Sequence, residues 1–128
     1  MNFSEIINNK YVDYFSTVEE SSINNEIMNE FLNKIIKVSE SLGNDNTISP
    51  TETIKEIKSR LDLDGGVYSI ITQIAGSDLI NCLSSFEIFT LLWFVSCKNV
   101  FCFEEGVYYN MTINKTIGNL LKKLSLCQ

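Results

Sequence analysis

Phe86–Val95 reads FEIFTLLWFV, and Glu87 and Thr90 are its only polar residues. A helix that is apolar on nearly every side has no face suited to solvent, so it lies inside a domain or inside a membrane. Glu87 and Lys98 bracket only ten residues, whereas a bilayer span needs about 20. The stretch therefore predicts a buried helix, at about residues 86–97, around which the rest of the chain packs.

Apolar residues at helical spacing predict the helices that surround this central one. The clearest stripe runs from Ser22 to Leu42, where apolar residues recur every three to four positions. Ser4, Ser49 and Thr112 stand where an N-cap is expected. The helices predicted in this way span residues 4–18, 22–42, 49–61, 67–75 and 112–124, with a short helical turn at 78–83.

Residues 100–109 carry a different pattern. Two runs of mainly β-branched and aromatic residues, 100–103 and 107–109, flank Glu104-Glu105-Gly106. Such runs favour strands, so the pattern also admits one small β-hairpin at about 100–109. A length of 128 residues predicts one domain. The predicted fold class is mainly α: a single-domain helical bundle, residues 1–128, around a buried central helix.

The charge balance and the missing residue types exclude several classes of function. The chain carries 16 acidic and 10 basic residues, a net charge of −6, and no histidine. Phosphate backbones and anionic membranes repel such a chain, so neither is expected as a direct partner. Without histidine there is no Ser-His or Cys-His nucleophile and no His-ligated zinc. Since no Gly-rich phosphate loop is present either, we expect no enzyme, no cofactor and no metal site.

The cysteines and the first residues bear on the compartment. Cys82, Cys97, Cys102 and Cys127 form no C-x-x-C motif, and we interpret them as buried thiols, with a disulfide or a metal or redox role as alternatives. The first residues, MNFSEIINN, lack the basic and apolar segments of a secretory signal. The expected localisation is cytoplasmic, where thiols stay reduced.

Acidic pairs on predicted turns are the candidate protein-binding residues. They are Glu19 and Glu20, Asp62 and Asp64, and Glu104 and Glu105. Turns are where a rigid scaffold tends to display binding groups. The alternative is that acidic turns only keep the protein soluble. Glu87 has a separate explanation, because it stands three residues after Ser84 and completes a predicted capping box.

Over its full length the chain resembles, in kind, the immunity proteins of bacterial toxin–immunity pairs of the contact-dependent growth inhibition and bacteriocin types. The likeness rests on one small acidic domain without a catalytic signature and on the three acidic pairs named above. It implies a protein that binds and neutralises a cognate toxin domain. Such toxins are often basic nucleases, and an acidic surface complements a positive substrate groove.

A different class of binding protein is the alternative. A helical bundle around a hydrophobic central helix also resembles the Bcl-2-like proteins of large DNA viruses, which hold an amphipathic partner helix in a groove. That family often carries an Asn-Trp-Gly-Arg-like element, whereas Trp93 stands here in Leu92-Trp93-Phe94-Val95. A plain structural or assembly subunit is a third alternative, and the sequence predicts no oligomeric state.

Overall fold

The structure, a computed structural model, describes residues 3–19, 21, 24–43, 49–97 and 107–127. Within these ranges the chain is helical, which confirms the predicted mainly α bundle. The helices are α1 (Asn9–Thr17), α2 (Asn25–Gly43), α3 (Pro50–Arg60), α4 (Val67–Ala75), a short 3-10 helix (Asp78–Cys82), α5 (Ser85–Cys97) and α6 (Val107–Leu126).

The predicted central helix is α5. It packs against α2, α3, α4 and α6, and Ile88, Leu91, Leu92 and Val95 are each 0% exposed. A helix with apolar side chains all round must be covered on all sides. The four surrounding helices supply that cover, and this confirms the interpretation of the stretch.

The start of α5 is fixed by a capping box and an ion pair. The Ser84 hydroxyl accepts a hydrogen bond from the Glu87 amide at 3.2 Å, and the Glu87 carboxylate accepts one from the Ser84 amide at 2.9 Å. Arg60, the last residue of α3, donates to both carboxylate oxygens of Glu87 at 3.0 and 2.9 Å. Glu87 therefore caps α5 and ties it to α3.

Gly118 lets α6 approach α1 closely. A Cβ placed on Gly118 would lie 2.7 Å from the carbonyl oxygen of Phe15 and 2.9 Å from its carbonyl carbon. The neighbouring atoms belong to the α1 backbone and cannot rotate away. The α1–α6 contact consequently requires a residue without a side chain at this position.

The first helix begins later than the sequence predicts. Residues 4–6 form a turn, α1 starts at Asn9, and Asn8 is the N-cap, because its side chain accepts a hydrogen bond from the Tyr11 amide at 3.3 Å. Ser4 is therefore not the cap. The turn brings Phe3 and Ile6 into the core, where both are 0% exposed, and the Phe3 ring stacks on Phe89 of α5 at 5.2 Å between centroids.

The second strand admitted by the sequence is not formed. Residues 107–109 are the first residues of α6, while 100–106 lie outside the described residues. Strand preference is a weak, context-dependent term. The α6 stripe of Ile113, Ile117 and Leu121, each 0% exposed, sets a helical register that continues back through 107–109.

The interpretation of the cysteines as buried thiols is wrong for Cys82 and Cys127. Both are free and exposed, because each stands at the end of a helix, Cys82 closing the 3-10 helix and Cys127 following α6. Cys102 and the side chain of Cys97 lie outside the described part of the chain.

We expect Gly118→Ala to lower the free energy of unfolding by about 1–3 kcal/mol, the usual effect of overpacking. The direction is informative because alanine is intrinsically the better helix residue by about 1 kcal/mol. Urea denaturation measures the change. Asn119→Ala, at an exposed position of the same helix, is the control and should leave stability unchanged or slightly raised. Equal stability of Gly118→Ala and the parent would contradict the close α1–α6 approach.

Glu87→Ala removes both the cap of α5 and its tie to α3, so we expect it to lower the free energy of unfolding by about 2 kcal/mol. Arg60→Ala keeps the cap and removes the tie together with the exposed Arg60–Glu56 pair. Because these pairs are partly exposed, about 1 kcal/mol is the expected loss. Thermal denaturation checks both values. Lys55→Ala, which removes an exposed cation of α3, is the control. An Arg60→Ala variant as stable as the parent protein would mean that the cap alone stabilises this junction.

Candidate protein-binding surface

The predicted binding residues fall in different parts of the chain. Asp62 and Asp64 lie in the α3–α4 loop and are both exposed, and Glu19 is exposed just after α1. Glu20, Glu104 and Glu105 lie outside the described residues. The α3–α4 loop, residues 61–66, therefore holds the predicted pair of which both members are described.

Asp62 occupies a backbone position that usually belongs to glycine. The amide of Asp62 donates to the Ser59 carbonyl at 3.3 Å, and the amide of Leu63 donates to the Lys58 carbonyl at 3.0 Å. These two bonds form a Schellman motif at the end of α3. The residue after the cap adopts the left-handed conformation in this motif, and Asp62 does so with φ 55°. The backbone thus sets the direction of the Cα–Cβ bond of Asp62.

Side chains from both flanking helices fix the loop backbone. Lys58 of α3 donates to the Gly65 carbonyl at 3.1 Å, and Gln73 of α4 donates to the Asp64 carbonyl at 3.1 Å. Gly65 itself has φ 112°, a conformation that other residues rarely adopt. Leu63 packs against the core between the two aspartates. The hydrogen bonds from Lys58 and Gln73 therefore hold the loop backbone in place, and we call the loop pinned in this sense. Its two carboxylates face solvent.

The acidic residues separate into those engaged in ion pairs and those that are not. In the described part of the chain, Glu5 pairs with Lys37, Glu30 with Lys10 and Lys34, and Glu56 and Glu87 with Arg60. Asp62 and Asp64 form no ion pair with a described residue. The nearest cations in sequence, Lys58 and Arg60, are directed to the Gly65 carbonyl and to glutamates. The negative charge of the α3–α4 loop is thus left uncompensated by these neighbours.

The ion pair of Glu30 links α1 to α2, and the sequence did not reveal it. The spacing of Glu30 predicts that it lies on a solvated face of α2, yet its carboxylate lies 2.7 Å from Lys10 Nζ. The hydrogen bond from Lys10 lowers the pKa of Glu30, and the same bond raises the pKa of Lys10. Burial raises the pKa of the adjacent Tyr11 hydroxyl. The sequence did carry one sign that Glu30 takes part in ion pairs: Lys34 stands one helical turn after it, and such pairs are common in helices.

Two further features of the described residues concern membranes and metals. None of the helices there combines the length and the apolar character that crossing a bilayer requires. No three of their Cys, Asp or Glu side chains are grouped so as to hold a metal ion.

Comparisons of the chain with models of protein families, with curated proteins and with solved structures find no significant match. The interpretation of the surface rests on its own geometry and charge.

Glu30→Gln is expected to make the protein slightly less stable at neutral pH. Because the pKa of Glu30 is lowered in the folded state, its stabilising contribution is complete above the ordinary carboxyl pKa and is lost as the pH falls through the lowered value. Urea denaturation from pH 7 to pH 2 should therefore show the parent and the variant converging in acid. Glu40→Gln is the control, because it removes an exposed carboxylate of the same helix that forms no ion pair with a described residue, and it should leave stability at neutral pH nearly unchanged. A pH-independent difference for Glu30→Gln would contradict the pairing.

Proposed function

We propose that this protein is an immunity protein that binds and neutralises a cognate toxin domain, a basic one of the nuclease type. The observation that carries the proposal is the α3–α4 loop, where Asp62 and Asp64 are exposed on a pinned backbone without an ion pair among the described residues. Carboxylates held in this way offer negative charge to a partner and not to the protein's own cations.

The physical argument has two parts. A nuclease domain carries a positive groove that receives phosphates, and complementary charge both speeds encounter and sets the orientation of binding. A loop that is already fixed by Lys58 and Gln73 loses little conformational entropy when a partner engages it. A pinned acidic loop is therefore better suited to occupying such a groove than a flexible acidic tail of equal charge.

The apolar surface supports this proposal more than the groove-binding alternative. Among the side chains that the structure describes, the large exposed hydrophobic ones are Ile36 on α2, Val67 on α4 and Leu126 on α6. Each of these three helices shows one such side chain among those described, whereas a groove for an amphipathic helix needs a continuous apolar lining. Val67 follows the α3–α4 loop directly and would add an apolar contact beside its two carboxylates.

The test uses the protein encoded by the gene immediately upstream as the partner, since toxin and immunity genes are expected to be neighbours. We expect tight binding that weakens as salt is raised, and survival of cells that produce both proteins. Asp62→Asn with Asp64→Asn should raise Kd about tenfold, about 1.4 kcal/mol. Asparagine is chosen because it tolerates the left-handed backbone at position 62.

The matched control is Glu26→Gln with Glu40→Gln, which removes the same two negative charges from exposed positions on α2. It should leave Kd nearly unchanged. An equal loss of affinity in both double variants would mean that only net charge matters, and the loop would not be the binding surface. If the neighbouring product neither binds nor is neutralised, the immunity function itself is wrong.

A further inference from the structure

Helix α6 buries a polar side chain that finds no hydrogen-bond partner among the described residues. Asn114 is 0% exposed, and both its amide nitrogen and its amide oxygen lack a partner there. It lies in the buried face of α6, between Ile113 and Ile117. An asparagine amide offers two donors and can accept twice, so its burial without partners opposes the docking of α6.

The helices that pack on α6 also bury unpartnered polar atoms. α6 packs against both α1 and α5, and the hydroxyls of Ser16 in α1 and Ser96 in α5 are buried without a partner among the described residues. Ser16 lies at the α1–α6 contact itself, because its amide nitrogen is 3.2 Å from the position of a Cβ on Gly118. The buried Thr90 hydroxyl, by contrast, donates to the Phe86 carbonyl at 3.0 Å.

Asn114, Ser16 and Ser96 all lie in α6 or in a helix that packs on it. A buried polar group without a partner typically reduces stability by about 1–3 kcal/mol, and a fully buried asparagine among apolar positions trades stability for a defined helix register in coiled coils. α5 also buries the unpartnered Ser96 hydroxyl, but the Ser84–Glu87 box and Arg60 hold its start, and α2, α3 and α4 pack on it in addition to α6.

We infer that α6 separates from the bundle as a unit before the whole domain unfolds, while α5 stays packed against α2, α3 and α4. Asn114 is the residue that sets this weakness. Opening of one element at a free energy below that of global unfolding is a general property of folded domains. The inference concerns the core and does not depend on the proposed function.

Native-state hydrogen exchange of the full chain, read by mass spectrometry, tests this inference. After correction for intrinsic rates, amides of residues 113–121 in α6 should exchange at least tenfold faster than those of 88–95 in α5. Asn114→Leu, which removes the unpartnered amide, should slow exchange in α6 about tenfold and so reduce the difference in exchange rate between α6 and α5. Asn119→Leu makes the same chemical change at an exposed position of α6 and should leave the difference in exchange rate between α6 and α5 unchanged.

Equal exchange rates in α6 and α5 of the parent protein would overturn the inference, because α6 would then open only with the whole domain. An Asn114→Leu variant that folds but exchanges like the parent in α6 would also overturn it, since Asn114 would not be the cause. The measurement on the parent decides the matter if the leucine is too large for the site and the variant does not fold.

Discussion

The absence of a polar face on α5 is the constraint on which the rest of the fold depends. Each fully buried leucine or isoleucine contributes roughly 1.5–3 kcal/mol relative to exposure, and α5 has such residues on all sides, among them Ile88, Leu91 and Leu92. One flanking helix cannot cover such a surface. The chain surrounds α5 with α2, α3, α4 and α6, so each of these helices needs an apolar stripe toward the core and a polar face toward solvent.

Burial of α5 also determines how nearby charges are used. A helix inside the bundle still begins with backbone amides that need acceptors, and the Glu87 carboxylate supplies one for the Ser84 amide. Both oxygens of the same carboxylate also accept hydrogen bonds from Arg60. This engagement commits Arg60 of α3 to the core junction, and Lys58 is committed to the loop carbonyl of Gly65. The α3–α4 loop therefore keeps its negative charge because the positive groups beside it in sequence have other partners.

The candidate surface was only partly predictable from the sequence, because the partners of charged side chains are set by the fold. Adjacency in the sequence identified Asp62 and Asp64 as a pair on a turn, because glycines and aspartates favour turns. It could not tell a free carboxylate from an engaged one, since an ion pair such as Glu30 with Lys10 joins residues twenty positions apart. The hydrogen bond from Gln73 to the loop is equally invisible to spacing, because it needs the loop to fold back on α4.

Local interactions are what the sequence by itself determined. The burial of α5, the start of α3 at Ser49 and Pro50, and the cap of α5 all follow from residues within a few positions of one another. The tertiary structure decided the rest: the close approach of Gly118 to α1 and helix in place of strand at 107–109. These features depend on contacts between distant segments, or on packing that outweighs a local preference of less than about 1 kcal/mol.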